Sequence, residues 1–152
     1  MRTILLACIF IISTPVCLAH PDTIKPKDSA EEKIWILEEA YFANLYKADY
    51  VGVLALVSEQ FLGWPGGLPK PINKAESSRF MKQLMPEPSK CSFRIEREGI
   101  RLLGAIALTQ YLIYVDCPDS SGITKKTFSR ITHTWVKEGL RWKLLGGMSS
   151  EN

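Results

Sequence analysis

Histidine is the side chain best suited to exchanging protons near neutral pH, with a reference pKa near 6.5, and this chain carries two, His20 and His133. His133 lies in the alternating stretch Ile131-Thr132-His133-Thr134-Trp135. Period-2 geometry there puts Ile131, His133 and Trp135 on one strand face. A histidine in that position is either a general base or a core residue bonded to threonine or backbone, and no acidic partner to orient it stands near it in sequence. Four tryptophans, Trp35, Trp64, Trp135 and Trp142, fit either a packed core or the wall of an apolar cavity. Trp64 differs from the others because it precedes the irregular loop Pro65 to Pro71, a location that favours ligand contact. Arg79 and Arg130 fit solvated surface positions. Gly63, Gly66 and Gly67 lack the Lys-Ser/Thr sequel of a phosphate loop, and no Gly-x-Ser-x-Gly elbow occurs. His20 and His133 alone are too few ligands for a metal, so neither a metal nor a cofactor is expected.

The four cysteines divide between two regions. Arg2, the apolar run Thr3 to Thr14, Pro15 and the small residues Cys17 and Ala19 read as an export signal over residues 1–19, cut before His20. The apolar run is shorter than the roughly 20 residues a spanning helix needs, so no stable membrane insertion is expected after cleavage. Cys8 and Cys17 leave with the signal, and an exported chain retaining Cys91 and Cys117 invites a bridge between them. A periplasmic or secreted location follows as an expectation.

These residues need elements to position them. Of 152 residues, 46% are apolar, with 19 Lys or Arg against 16 Asp or Glu for a net charge of +3. Losing Arg2 with the signal lowers the charge by one, leaving a chain poorly suited to nucleic acid. Residues 20–28 form a polar, Pro-punctuated lead-in, and residues 29–150 are long enough for one domain with its own core. Ser29 with Glu32 is a capping-box pattern ahead of a helix whose stripe is Ile34, Leu37, Ala40, Tyr41, Leu45 and Ala48. Asp49 caps a second helix over Tyr50 to Val57, Phe61 to Trp64 is a short strand, and Asn73 with Glu76 opens a third helix to about Met85.

After Pro88 the composition turns β-branched and aromatic. Ser92 to Leu103, Ala105 to Cys117, Lys125 to Lys137 and Arg141 to Ser149 read as four antiparallel strands, giving an α+β fold with helices on one sheet face. A turn at Gly104 opposes Cys91 to Cys117, whereas a bulge near Glu98-Gly99 would shift the register and leave both thiols free. A turn at Glu138-Gly139-Leu140 opposes Trp135 to Trp142 and His133 to Leu144.

Glu38 to Leu56 (EEAYFANLYKADYVGVLAL), Phe61 to Pro65 (FLGWP) and Ile131 to Met148 (ITHTWVKEGLRWKLLGGM) resemble the nuclear transport factor 2-like superfamily, and within it the SnoaL-like exported proteins. The resemblance implies a cone of about three helices on a curved antiparallel sheet of four long strands and one short one. It also implies a small-molecule pocket and a homodimer formed through the outer strand face of Arg130, Thr132, Thr134 and Val136. In ketosteroid-isomerase-like members a first-helix tyrosine donates to the substrate oxygen, and Tyr41 matches it. Their two carboxylates would fall at Trp64-Pro65 and near Thr132, where this chain has none, and the Asp-Arg-Asp set of the epoxide hydrolases has no counterpart either. The implied function is binding of a small hydrophobic or amphipathic molecule, with Tyr41, Trp64, His133 and Trp135 as contacts. The alternative is an isomerase or hydrolase using His133 as base and Tyr41 as donor.

Overall fold

The computed structural model describes residues 29–151; the readings of the export signal, the lead-in, Cys8, Cys17 and His20 fall outside the described residues. Helix α1 spans Ala30–Tyr46, with Ser29 capping it by accepting from the Glu32 amide at 3.1 Å. Asp49 caps α2 (Tyr50–Leu56) by accepting from the Gly52 amide, and Asn73 and Glu76 form the full reciprocal capping box of α3 (Lys74–Leu84). The strands are β1 (Val57–Trp64), β2 (Ile72–Asn73), β3 (Ser92–Leu103), β4 (Ile106–Pro118), β5 (Thr124–Glu138) and β6 (Arg141–Glu151).

The sheet differs from expectation in two respects. It has six strands in the order β2-β1-β6-β5-β4-β3, and it is mixed, because β1 runs parallel to β6. The strand read as short begins four residues earlier, directly where α2 ends. The close approach of β1 to β6 depends on Gly146, where any Cβ would collide with the Leu62 carbonyl.

The helix stripe is also rotated from the one expected. The fully buried positions of α1 are Ile34, Trp35, Glu38 and Phe42, whereas Leu37, Ala40, Tyr41, Leu45 and Ala48 are half-buried. Ile34, Val53, Val57, Phe61, Met81, Trp135 and Leu144 pack as one cluster, and Trp35, Phe42, Tyr111, Ile113 and Ile131 as a second. Together they fill the space between helices and sheet.

Both long hairpins carry bulges. From the turn, β3 and β4 pair with Leu103 opposite Ile106 and Gly99 opposite Gln110, and the register slips by one between Arg97 and Gly99, so that Ser92 faces Asp116. The anticipated bulge is therefore present, but its effect is the reverse of the one anticipated, since the slip brings Cys91 opposite Cys117. The two are bridged, with Cα atoms 4.2 Å apart. Its cause is readable in the strand: Phe93, Ile95 and Arg97 turn toward the helices on odd numbers, Ile100 and Leu102 on even ones, and only an extra residue lets both sets face inward. At the other hairpin the turn is Gly139-Leu140. It sets Trp135 opposite Leu144, and a further slip sets His133 opposite Gly147, which corrects the pairings expected from a three-residue turn.

Candidate functional site

The site is built around a carboxylate that sequence reading passed over. Glu38 is wholly buried on the inner face of α1 and collects four donors from two strands. Its Oε1 accepts from the Thr109 hydroxyl at 2.6 Å and the Trp135 indole at 2.7 Å, and its Oε2 accepts from the Tyr111 hydroxyl at 2.8 Å and His133 Nδ1 at 2.7 Å. The register makes this possible: Thr109 is directly opposite His133, Tyr111 opposite Ile131, and Ala107 opposite Trp135. The inward side chains of β4 and β5 therefore meet one helix position. Burial alone would raise the Glu38 pKa, but the His133 charge and the hydrogen bonds from His133, Thr109 and Trp135 outweigh it and hold the carboxyl below its ordinary value.

Fixing Nδ1 on Glu38 defines the imidazole. Nδ1 carries the proton it donates, and Nε2 is left for the opposite edge of the ring. That edge is kept clear by Gly147, since a Cβ there would strike His133 Cδ2 and the Thr132 carbonyl. In front of it lies a cleft of about 50 Å³ lined by Phe61, Gly63, Trp64, Pro65, His133, Gly147, Met148 and Ser149. Trp64 is 41% exposed, and its indole N–H donates to the Leu68 carbonyl, which anchors the ring against the loop. The Ser149 hydroxyl accepts from the Gly66 amide, pinning the same loop from the other side.

Of the residues singled out from sequence, His133 and Trp64 thus meet in one cleft. Tyr41 does not line it; its ring packs edge-on against His133 at 5.6 Å, and burial together with the Glu38 charge pushes its hydroxyl up to about 12. Trp135 is wholly buried with its N–H donated to Glu38, in the core behind the histidine and not on a cavity wall. Among the described residues, no group of three His, Cys, Asp or Glu side chains is placed to hold a metal. The signal that would have found Glu38 is a single acid in the middle of an otherwise apolar helical stripe, four residues from both Ile34 and Phe42.

No family model matches the sequence, and no curated protein matches it. Solved structures do. The association domain of C. elegans CaMKII is similar over 79% of this chain and 94% of its own, at 15% identity and a TM-score of 0.72. A nuclear transport factor 2-like protein of unknown function from Pseudomonas putida KT2440 is similar over 80% and 85%, at 18% identity and 0.70. A ketosteroid isomerase-like protein from Erwinia carotovora atroseptica SCRI1043 is similar over 78% and 92%, at 14% identity and 0.65. At such identities the likeness is one of fold, and the chain has the nuclear transport factor 2-like fold.

Proposed function

We propose that the chain is an exported small-molecule-binding domain whose ligand places a hydrogen-bonding group on His133 Nε2 and an apolar body over Trp64 and Met148. The observation that carries this reading is the His133 ring itself, fixed through Nδ1 by a buried carboxylate while its other edge borders the cleft. A space of about 50 Å³ accepts the polar end of a ligand, and the rest lies along the cleft's apolar lip. The Cys91–Cys117 bridge supports export, because such bonds persist in oxidising compartments. Titration with 4-ethylphenol, which offers one hydroxyl and one apolar body, tests the site. Saturable NMR shifts at the Gly147 amide and Trp64 indole are expected, weakened in Trp64→Ala and lost in His133→Phe. Shifts that are absent, or that survive both substitutions, overturn the proposal.

Glu38 also favours a second reading, proton transfer by an isomerase or hydrolase. It supplies the acidic orienter a histidine base needs. Tyr41 is not placed as the donor, and Ser149 is the hydroxyl that shares the cleft with His133. On this reading, aryl-ester turnover is present in the unaltered protein and disappears in His133→Gln.

A further inference from the structure

A second concavity lies at the opposite end of β1 and β6 from the His133 cleft and shares no lining residue with it. It is an open groove of about 510 Å³ lined by Ile36 and Leu37 of α1, Leu56 at the end of α2, and Leu140 and Trp142 of the β5–β6 hairpin. Leu140 shares a two-residue turn with Gly139, whose φ is +60°, and is 96% exposed. Gly139 alone takes the positive φ that this turn demands, so the backbone leaves position 140 open to most side chains and gives no reason for a leucine held out in water. Ile36, on the same groove, is 49% exposed. Apolar side chains gathered in one exposed patch mark a binding surface.

The rim has a single sign. Lys33, Arg141 and Lys143 line it, and no carboxylate is among its lining residues. Lys143 donates to the Ala55 carbonyl, which fixes its ammonium across the end of α2. Arg141 is exposed, with a planar guanidinium suited to bidentate capture of a carboxylate. The volume falls within the roughly 300–1,000 Å³ of small-molecule sites.

We infer that this groove binds a single-chain anionic amphiphile, a long-chain fatty carboxylate, with the alkyl chain on Leu37, Leu56 and Trp142 and the carboxylate on Arg141 and Lys33. An apolar floor beneath a purely cationic rim selects that chemistry over neutral or cationic chains.

The test is a titration of the purified protein with sodium laurate below its micelle concentration, read by calorimetry, with dodecyltrimethylammonium as the cationic counterpart. Saturable laurate binding is expected, at least about tenfold tighter than that of the cation and weakened about tenfold by Arg141→Glu, a change near 1.4 kcal/mol. Leu140→Asp also weakens it, and the exposure of both residues leaves the fold intact. Trp64→Ala, at the other site, leaves laurate binding unchanged. Equal binding of both chains, indifference to Arg141→Glu and Leu140→Asp, or loss in Trp64→Ala overturns the inference. So does sedimentation showing a dimer that Leu140→Asp dissociates, since a second copy would then fill the groove.

Discussion

Glu38 carries more of the molecule's polar chemistry than any other residue, because four donors from β4 and β5 have no other partner of comparable quality within the core. Glu38→Gln replaces an accepting oxygen with an amide N–H₂ that faces donors, and breaking a buried ionic network in this way costs about 3–5 kcal/mol. Urea unfolding at neutral pH measures that loss. The pH profile carries a second signature. The folded carboxyl titrates below its ordinary 4.5, so its contribution is full above that value and is lost as pH falls through the folded pKa. The acid limb of the stability curve should therefore flatten in Glu38→Gln. At the alkaline end the sign reverses. Tyr41 is pushed up to about 12 in the fold against an ordinary 10.0, so the fold favours its neutral form, and stability declines as pH rises from 10 toward 12. Tyr41→Phe should make that decline shallower, and an alkaline limb unchanged by the substitution would contradict the burial of the hydroxyl. His133 was legible from its place in an alternating strand. Glu38 showed only as an acid within an apolar helical stripe; its pairing with a histidine 95 positions away is set by the packing of α1 on the sheet and was not legible.

At the scale of elements, the hairpin that joins β3 and β4 is closed at both ends, by the Gly104 turn and by the bridge. Cross-linking positions 26 apart removes unfolded-state entropy equivalent to about 3–4 kcal/mol. Alkylation of the unreduced, unfolded protein should leave Cys91 and Cys117 unlabelled, and Cys91→Ser with Cys117→Ser should lower stability by about that amount. Two labelled thiols would contradict both bridge and register. Capping signals fixed the helix starts well, since Ser29, Asp49 and Asn73 each accept the bond their positions implied. Strand ends in the C-terminal half fell within a residue or two for the same local reasons, turn glycines and β-branched runs. What local patterns do not encode is the partner across the sheet. The parallel pairing of β1 with β6 joins segments about 85 residues apart, and the two hairpin bulges show in sequence only as a change of phase in the apolar alternation.

For the whole molecule, the helices cover one sheet face, and no described helix covers the other. Arg130, Thr132, Thr134 and Val136 of β5 alternate with the buried Ile131, His133 and Trp135, and so point away from the core as expected. Their neighbours across the ladder supply the apolar component: Leu108 opposes Thr134, Leu112 opposes Arg130, and Met148 opposes Thr132. Leu108 and Met148 are exposed, as is Leu62 on β1, opposite Gly146 of β6. An antiparallel sheet can leave such a face solvated, but exposed Leu108 on one side of the β5 threonine row and Met148 and Leu62 on the other make a mixed apolar and polar surface of the kind that subunit interfaces use. A two-fold arrangement would set this face against itself, burying Leu108 with it. A homodimer is therefore expected at micromolar concentration by analytical ultracentrifugation. Leu108→Glu would bury a charge from each subunit in that interface and should yield a folded monomer, with near-native circular dichroism and an intact bridge. The same variant should retain laurate binding, because Leu108 does not line the groove at the β5–β6 turn. A profile that is monomeric before any substitution, or dimeric after this one, would remove the outer face as the site of self-association.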